Sequence, residues 1–140
     1  MNWISPTGLS PCAAMPTQAP LISWGAMVKE TLAAAEELAA DGINADVIDL
    51  ATLKPYDEET VLASVSKTGR CVIVHEAART GGFGAEIAAL IAERALLSLL
   101  APVARVTGYD TITPLSRLEQ YYMPSVGRIA AAARKVYQFG

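Results

Sequence analysis

A chain of 140 residues is long enough for one domain with a single hydrophobic core. A formal charge of −3 gives no electrostatic footprint for nucleic acid, and no run of about 18 apolar residues marks a membrane span. Two cysteines, Cys12 and Cys71, are too few for a disulfide framework and point to reduced thiols in the cytoplasm.

The first 20 residues carry prolines at 6, 11, 16 and 20 and no charged side chain. They lack the basic start and continuous apolar core of a signal peptide. Proline at this density argues against a regular helix or a central strand. The stretch reads as an extended arm, with Trp3 and Ile4 free to pack, or as a non-native extension; residues 21–140 read as the domain.

Leu21 to Trp24 reads as a short strand, turned by Gly25 into a helix from Ala26 to about Ala40. Val28, Leu32, Ala35 and Ala39 fall on one face of that helix, with Lys29, Glu30, Glu36 and Glu37 away from it. Gly42 suits a left-handed C-terminal cap. Ala45 to Leu50 is the second strand; Asp46 and Asp49 stand at odd separation on it and point to opposite faces, so they form no paired-carboxylate site. After the loop Lys54-Pro55-Tyr56, Asp57 caps a helix whose first turn holds Glu58 and Glu59 and whose Val61, Leu62 and Val65 face inward. Thr68-Gly69 ends it.

Cys71 to Val74 is the third strand, apolar and rich in β-branched residues. It runs into the only histidine, His75, then Glu76, Arg79 and the glycines Gly81, Gly82 and Gly84. The next helix is expected from about Phe83 to Leu99, with Ile87, Leu90, Ile91 and Ala95 as its stripe and Pro102 beyond it. Val103 to Val106 is the fourth strand. Gly108 to Tyr122 reads as an irregular loop. Pro124 is expected to open the last helix at its first position, with Val126, Ile129, Ala130, Ala133 and Val136 inward. This strict alternation predicts right-handed crossovers and a three-layer α/β/α domain, with a mostly parallel sheet of four to five strands.

The residues alone give no complete catalytic constellation. Gly82-Phe83-Gly84-Ala85-Glu86-Ile87 lacks the third glycine of a dinucleotide fingerprint and follows the third strand rather than the first. His75-Glu76 begins a zinc motif, but position 79 is arginine and no second histidine exists. Two readings of the junction stay open. It is a packing turn with a hydrogen-bonded histidine, or it is a ligand or partner edge built from Trp24, His75, Glu76, Arg79, Gly81, Gly82 and Gly84, where Arg79 and the helix N-terminus would hold an anion.

Taken together, Asp49-Leu50 with Leu53-Lys54-Pro55, His75-Glu76-Ala77 with Thr80-Gly81-Gly82-Phe83, and Val106-Thr107-Gly108 with Asp110-Thr111 form a specific set of motifs. From about Leu21 to Phe139 the chain resembles the C-terminal, transketolase C-terminal-like domain of the β subunit of thiamine-diphosphate-dependent 2-oxo acid dehydrogenases (pyruvate, branched-chain and acetoin types). The resemblance implies an α2β2 decarboxylase, an oxidoreductase component, in which thiamine diphosphate and magnesium lie between the α subunit and the β N-terminal domain. The magnesium signature of the α subunit and the activating glutamate of the β N-terminal domain have no counterpart in this sequence; Asp41-Gly42-Ile43-Asn44 is a helix end and turn. The implied role is therefore an assembly or interaction domain that binds no cofactor by itself and has no activity alone. Its implied partners are an α subunit, a β N-terminal domain, a dihydrolipoyl acyltransferase core and a second copy of the chain.

Two departures from the family pattern bear on this. Leu100 stands where an acidic residue commonly precedes Ala-Pro, which weakens charge-based docking of the acyltransferase. The proline-rich arm stands in place of an extra antiparallel edge strand, which leaves the edge at 45–50 open unless the arm or a second chain covers it. Leu96, Leu97, Leu99, Leu100, Tyr121 and Tyr122 are the expected oligomer surface. The alternative readings are a free-standing small-molecule or anion-binding protein that reuses the fold, and a truncation product.

Overall fold

The computed structural model describes residues 17–139; the expectations for the arm at 1–16 lie outside the described residues. The sheet is built from β1 (Ala19–Ser23), β2 (Ala45–Asp49), β3 (Val72–Ala78) and β4 (Ala104–Gly108). All pairs are parallel, as the alternation requires, and the order is β2-β1-β3-β4. β2 is an edge strand. At its start Gln18 N–H donates to the Asn44 carbonyl at 2.8 Å and the Thr17 hydroxyl donates to Asp46 at 2.6 Å, which ties the incoming chain beside it.

Helices α1 (Met27–Ala40) and α5 (Val126–Tyr137) cover one face of the sheet, over Leu21, Val72, Val74 and Val106. On the other face α2 (Glu58–Thr68) and α3 (Gly84–Arg94) cover Ile22, Ile48, Cys71 and Ile73. The two cores use alternate residues of the same strands, which is the period-2 rule of a sheet buried on both faces. Local signals set the helix ends where expected. The Asp57 carboxylate accepts from Thr60 N–H at 3.0 Å, and Gly69, with φ of 68°, closes α2.

Several boundaries differ from the sequence reading. β1 starts at Ala19 and places Pro20 in a central strand. The β1–β3 ladder begins only at Leu21, so β1 is still an edge at Pro20 and the missing N–H costs no bond on that side. The buried stripe of α1 is Met27, Thr31, Ala34 and Leu38, one position before the expected one; the Thr31 hydroxyl donates to the Met27 carbonyl at 2.7 Å and so tolerates burial. α3 stops at Arg94 and continues as a single 3₁₀ turn, Leu96–Ser98. The expected loop before the last helix contains α4 (Ser116–Tyr122). Ser125, accepting from Arg128 N–H at 3.3 Å, is the N-cap of α5, which places Pro124 before the cap rather than at the first helical position.

Candidate functional site at the carboxyl edge of the sheet

In an open parallel sheet, the crevice used for ligands lies where the strand order reverses, outside the carboxyl ends. Here that point is between β1 and β3. Ser23 is in register with Val74, so the next residues, Trp24 and His75, emerge side by side. Their rings stack at 5.2 Å and 13°. Phe83, at the start of α3, meets Trp24 edge-on at 5.9 Å and Tyr56 edge-on at 5.7 Å. The protein's own aromatic side chains therefore fill the switch point.

The glycines follow from the histidine. A Cβ at Gly84 would lie 2.5 Å from His75 Nε2, and one at Gly82 would lie 2.6 Å from His75 Cε1 and 2.4 Å from the Ala78 carbonyl oxygen. The Nε2 edge of the imidazole thus sits against Gly82 and Gly84 at the start of α3, where a side chain has no room. Gly81 serves the turn differently: nothing crowds it, but its φ is 73°, a conformation that favours glycine.

His75 is 1% exposed, and neither ring nitrogen meets a protein hydrogen-bond partner; the same holds for the buried Ser23 hydroxyl. Burial holds the imidazole below its ordinary pKa, and the charge of Arg105 adds to this; the Ala77 backbone pulls the other way. A sealed, neutral imidazole cannot exchange protons with a substrate in this arrangement. Burial also pushes the Cys71 thiol far up, which makes it inert. Tyr56 is raised by partial burial, with the charges of Glu58 and Glu86 adding to it.

Of the residues singled out from sequence, the fold brings together Trp24, His75, Gly82 and Gly84. Glu76 and Gly81 are exposed at the rim. Arg79 turns toward β4, where its Nη1 donates to the Arg105 carbonyl at 3.1 Å. Thr80 is held by Asp110, which accepts its N–H at 2.8 Å and its hydroxyl at 2.7 Å; these two bonds keep the Asp110 carboxyl below its usual range. Sequence reasoning missed Phe83 and Tyr56 as ring partners and Arg105 as the partner of Arg79. Only the aromatic residues flanking the glycines hinted at the first.

The expected oligomer surface is corrected at Tyr122. This residue is 6% exposed, because its ring lies under Gly108, where an added Cβ would come within 2.6 Å of it, and it meets Tyr109 edge-on at 6.5 Å. Leu99 is half-buried against the α2/α3 core. Leu96, Leu97, Leu100 and Tyr121 are exposed, joined by Ile112, Leu115 and Leu118. Since α3 starts at the carboxyl edge and runs back, the leucines at 96, 97 and 100 lie at the opposite end of the sheet from 109–121.

Residues 16–129 match the family Transketolase, C-terminal domain. The chain is 52% identical over 119 residues to the pyruvate dehydrogenase E1 component subunit beta of Staphylococcus epidermidis and 47% identical over 123 residues to that of Bacillus subtilis. It spans 37% and 38% of the length of these relatives, and they cover 85% and 88% of this chain. Among solved structures, a split-gene transketolase described as an inactive β4 tetramer superposes with a TM-score of 0.76 at 30% identity, over 89% of this chain and 40% of its own. The family match over most of the chain and the relatives agree: the chain belongs to the transketolase C-terminal domain family.

Proposed function

We propose that the chain is an assembly and interaction domain of the pyruvate dehydrogenase E1 β type, without catalytic activity of its own. The extent of the likeness carries this reading: relatives align over nearly the whole described domain, while the chain spans just over a third of their length. The chemistry agrees with it, because the one histidine is sealed and Cys71 is inert. Thiamine diphosphate and magnesium are implied for a complete assembly only. The sequence lacks the magnesium signature, and among the described residues no three His, Cys, Asp or Glu side chains gather as a metal site. Cofactor binding is assigned to an α subunit and a β N-terminal domain.

The partners in this reading are a second copy of the chain, those two components and a dihydrolipoyl acyltransferase, in the cytoplasm. The description of the transketolase relative as an inactive β4 tetramer supports self-association of β-type chains. No described helix is long and apolar enough to cross a membrane. Light scattering and calorimetry test the proposal. The purified chain is expected to show a mass of at least two chains and no heat of binding with thiamine diphosphate and Mg²⁺. Tight cofactor binding, or decarboxylation of a 2-oxo acid by the chain alone, would overturn it.

A further inference from the structure

The turn after β3 and the strand β4 bring together two arginines that no salt bridge engages among the described residues. Arg79 Nη1 donates to the Arg105 carbonyl at 3.1 Å, and Arg105 Nη1 donates to the Arg79 carbonyl at 3.3 Å. This reciprocal pair holds two guanidinium groups on neighbouring backbones although their charges repel, and it leaves most of their N–H donors free. Among the described residues, salt bridges join Arg94 to Glu58 and Arg134 to Glu37 and Asp41; none reaches Arg79 or Arg105. Asp110 feels the Arg79 charge and its backbone, but both carboxylate oxygens are engaged by Thr80. In a chain of net charge −3, an arginine pair that no salt bridge engages among the described residues is a local feature of this surface.

Apolar side chains follow on the segment that leaves β4 beside the pair, where Gly108 lies opposite Ala78. The segment that begins at the Asp110 tie leaves Tyr109, Ile112, Leu115, Leu118 and Tyr121 between 51% and 91% exposed. It is nevertheless held in place. Arg128 lies 4.6 Å over the Tyr109 ring and donates to the Thr107 carbonyl at 2.7 Å, and Tyr122 is buried at the far end. Holding the segment at both ends lowers the ordering cost of an encounter.

We infer that this surface docks a segment of another protein that carries carboxylates beside apolar side chains. Charge complementarity selects that occupant. A guanidinium fork takes a carboxylate in a two-point bond, and arginine, tyrosine and aliphatic side chains together are the composition of an interface core. A free anion would find two guanidinium groups but no enclosure, since Arg79 is itself exposed. The inference takes from the proposed function only that a partner exists.

Selection of a random dodecapeptide display library on the immobilised full chain tests it. The enriched peptides are expected to place Asp or Glu beside Leu, Ile or Phe. One such peptide, labelled for fluorescence anisotropy, should bind Arg79→Gln/Arg105→Gln and Leu115→Ser at least about tenfold more weakly than the natural chain. Arg79→Gln alone, at an exposed position, should show part of that loss with an unchanged melting temperature. Neutral or basic peptides, no enrichment, or equal binding by the variants would overturn the inference. So would displacement of the peptide by sub-millimolar inorganic phosphate, which would make the pair a free-anion site, or a dimer that Arg79→Gln/Arg105→Gln converts to monomer, which would give the surface to a second copy. Binding of thiamine diphosphate by the chain would overturn the assembly reading and leave these results standing.

Discussion

Two segments leave the same edge of the sheet from adjacent strands, and they treat their apolar side chains in opposite ways. The turn after β3 sets Phe83 against Trp24, which stacks on a sealed imidazole, and keeps glycine at the two positions where a Cβ would press on that ring. The segment after β4 is pinned by Asp110, Arg128 and Tyr122, yet turns Ile112 and Leu115 outward to 91% and 89% exposure. The contrast separates two uses of conspicuous residues. Glycines and a histidine, the more noticeable motif in the sequence, are spent on packing. The plainer stretch of threonine, leucine and tyrosine presents the surface a partner can reach.

The strongest way to break this comparison is to add a methyl group at the turn after β3. Gly82→Ala would press a Cβ to 2.4 Å from a backbone oxygen that cannot move aside; a loss of about 3 kcal/mol is expected from such overpacking. Gly81→Ala enters open space and bears only the strain of its positive φ, about 1 kcal/mol. Urea midpoints of the two variants decide the matter, and equal losses would refute the packing account.

The neighbouring tyrosines sharpen the contrast within the second segment. Tyr122→Ala removes a buried ring and should cost about 3 kcal/mol, whereas Tyr121→Ala should stay within about 0.5 kcal/mol. A thermal melt in which Tyr121→Ala is the less stable variant would mean that the segment sits the other way round.

Titration offers a smaller effect. The folded chain holds His75 below its ordinary pKa of 6.5, so the unfolded chain binds the proton first as pH falls. The stability this contributes is complete above the unfolded value and is lost as pH drops from there toward the folded one. Denaturant midpoints should therefore fall between about pH 7 and pH 5 more steeply in the natural chain than in His75→Gln. Parallel profiles would show that the imidazole is not sealed.

The smallest expected change is that of Arg79→Ala. Its side chain is exposed and bonds one carbonyl, so stability should move by no more than about 0.5 kcal/mol. A large drop in melting temperature would turn the arginine pair into a structural brace.

The sequence alone determined the alternation of the four strands with α1, α2, α3 and α5, though not α4, together with the parallel sheet, the caps at Asp57, Gly42 and Gly69, and the family. Each rests on interactions within a few residues: hydrophobic period, side-chain oxygens at helix starts, glycine at left-handed ends. Tertiary structure decided the rest. An alanine-rich helix offers two adjacent stripes, and only the sheet and α5 chose Met27, Thr31, Ala34 and Leu38 over their neighbours. Tyr121 and Tyr122 are indistinguishable in sequence, but the bare backbone of Gly108, 14 residues before the second of them, admits one ring and not the other. The direction of Arg79 was set by a carbonyl 26 positions away. Local chemistry fixes which element forms, while the partner of an individual side chain depends on residues brought near by the sheet order, which no short window of sequence contains.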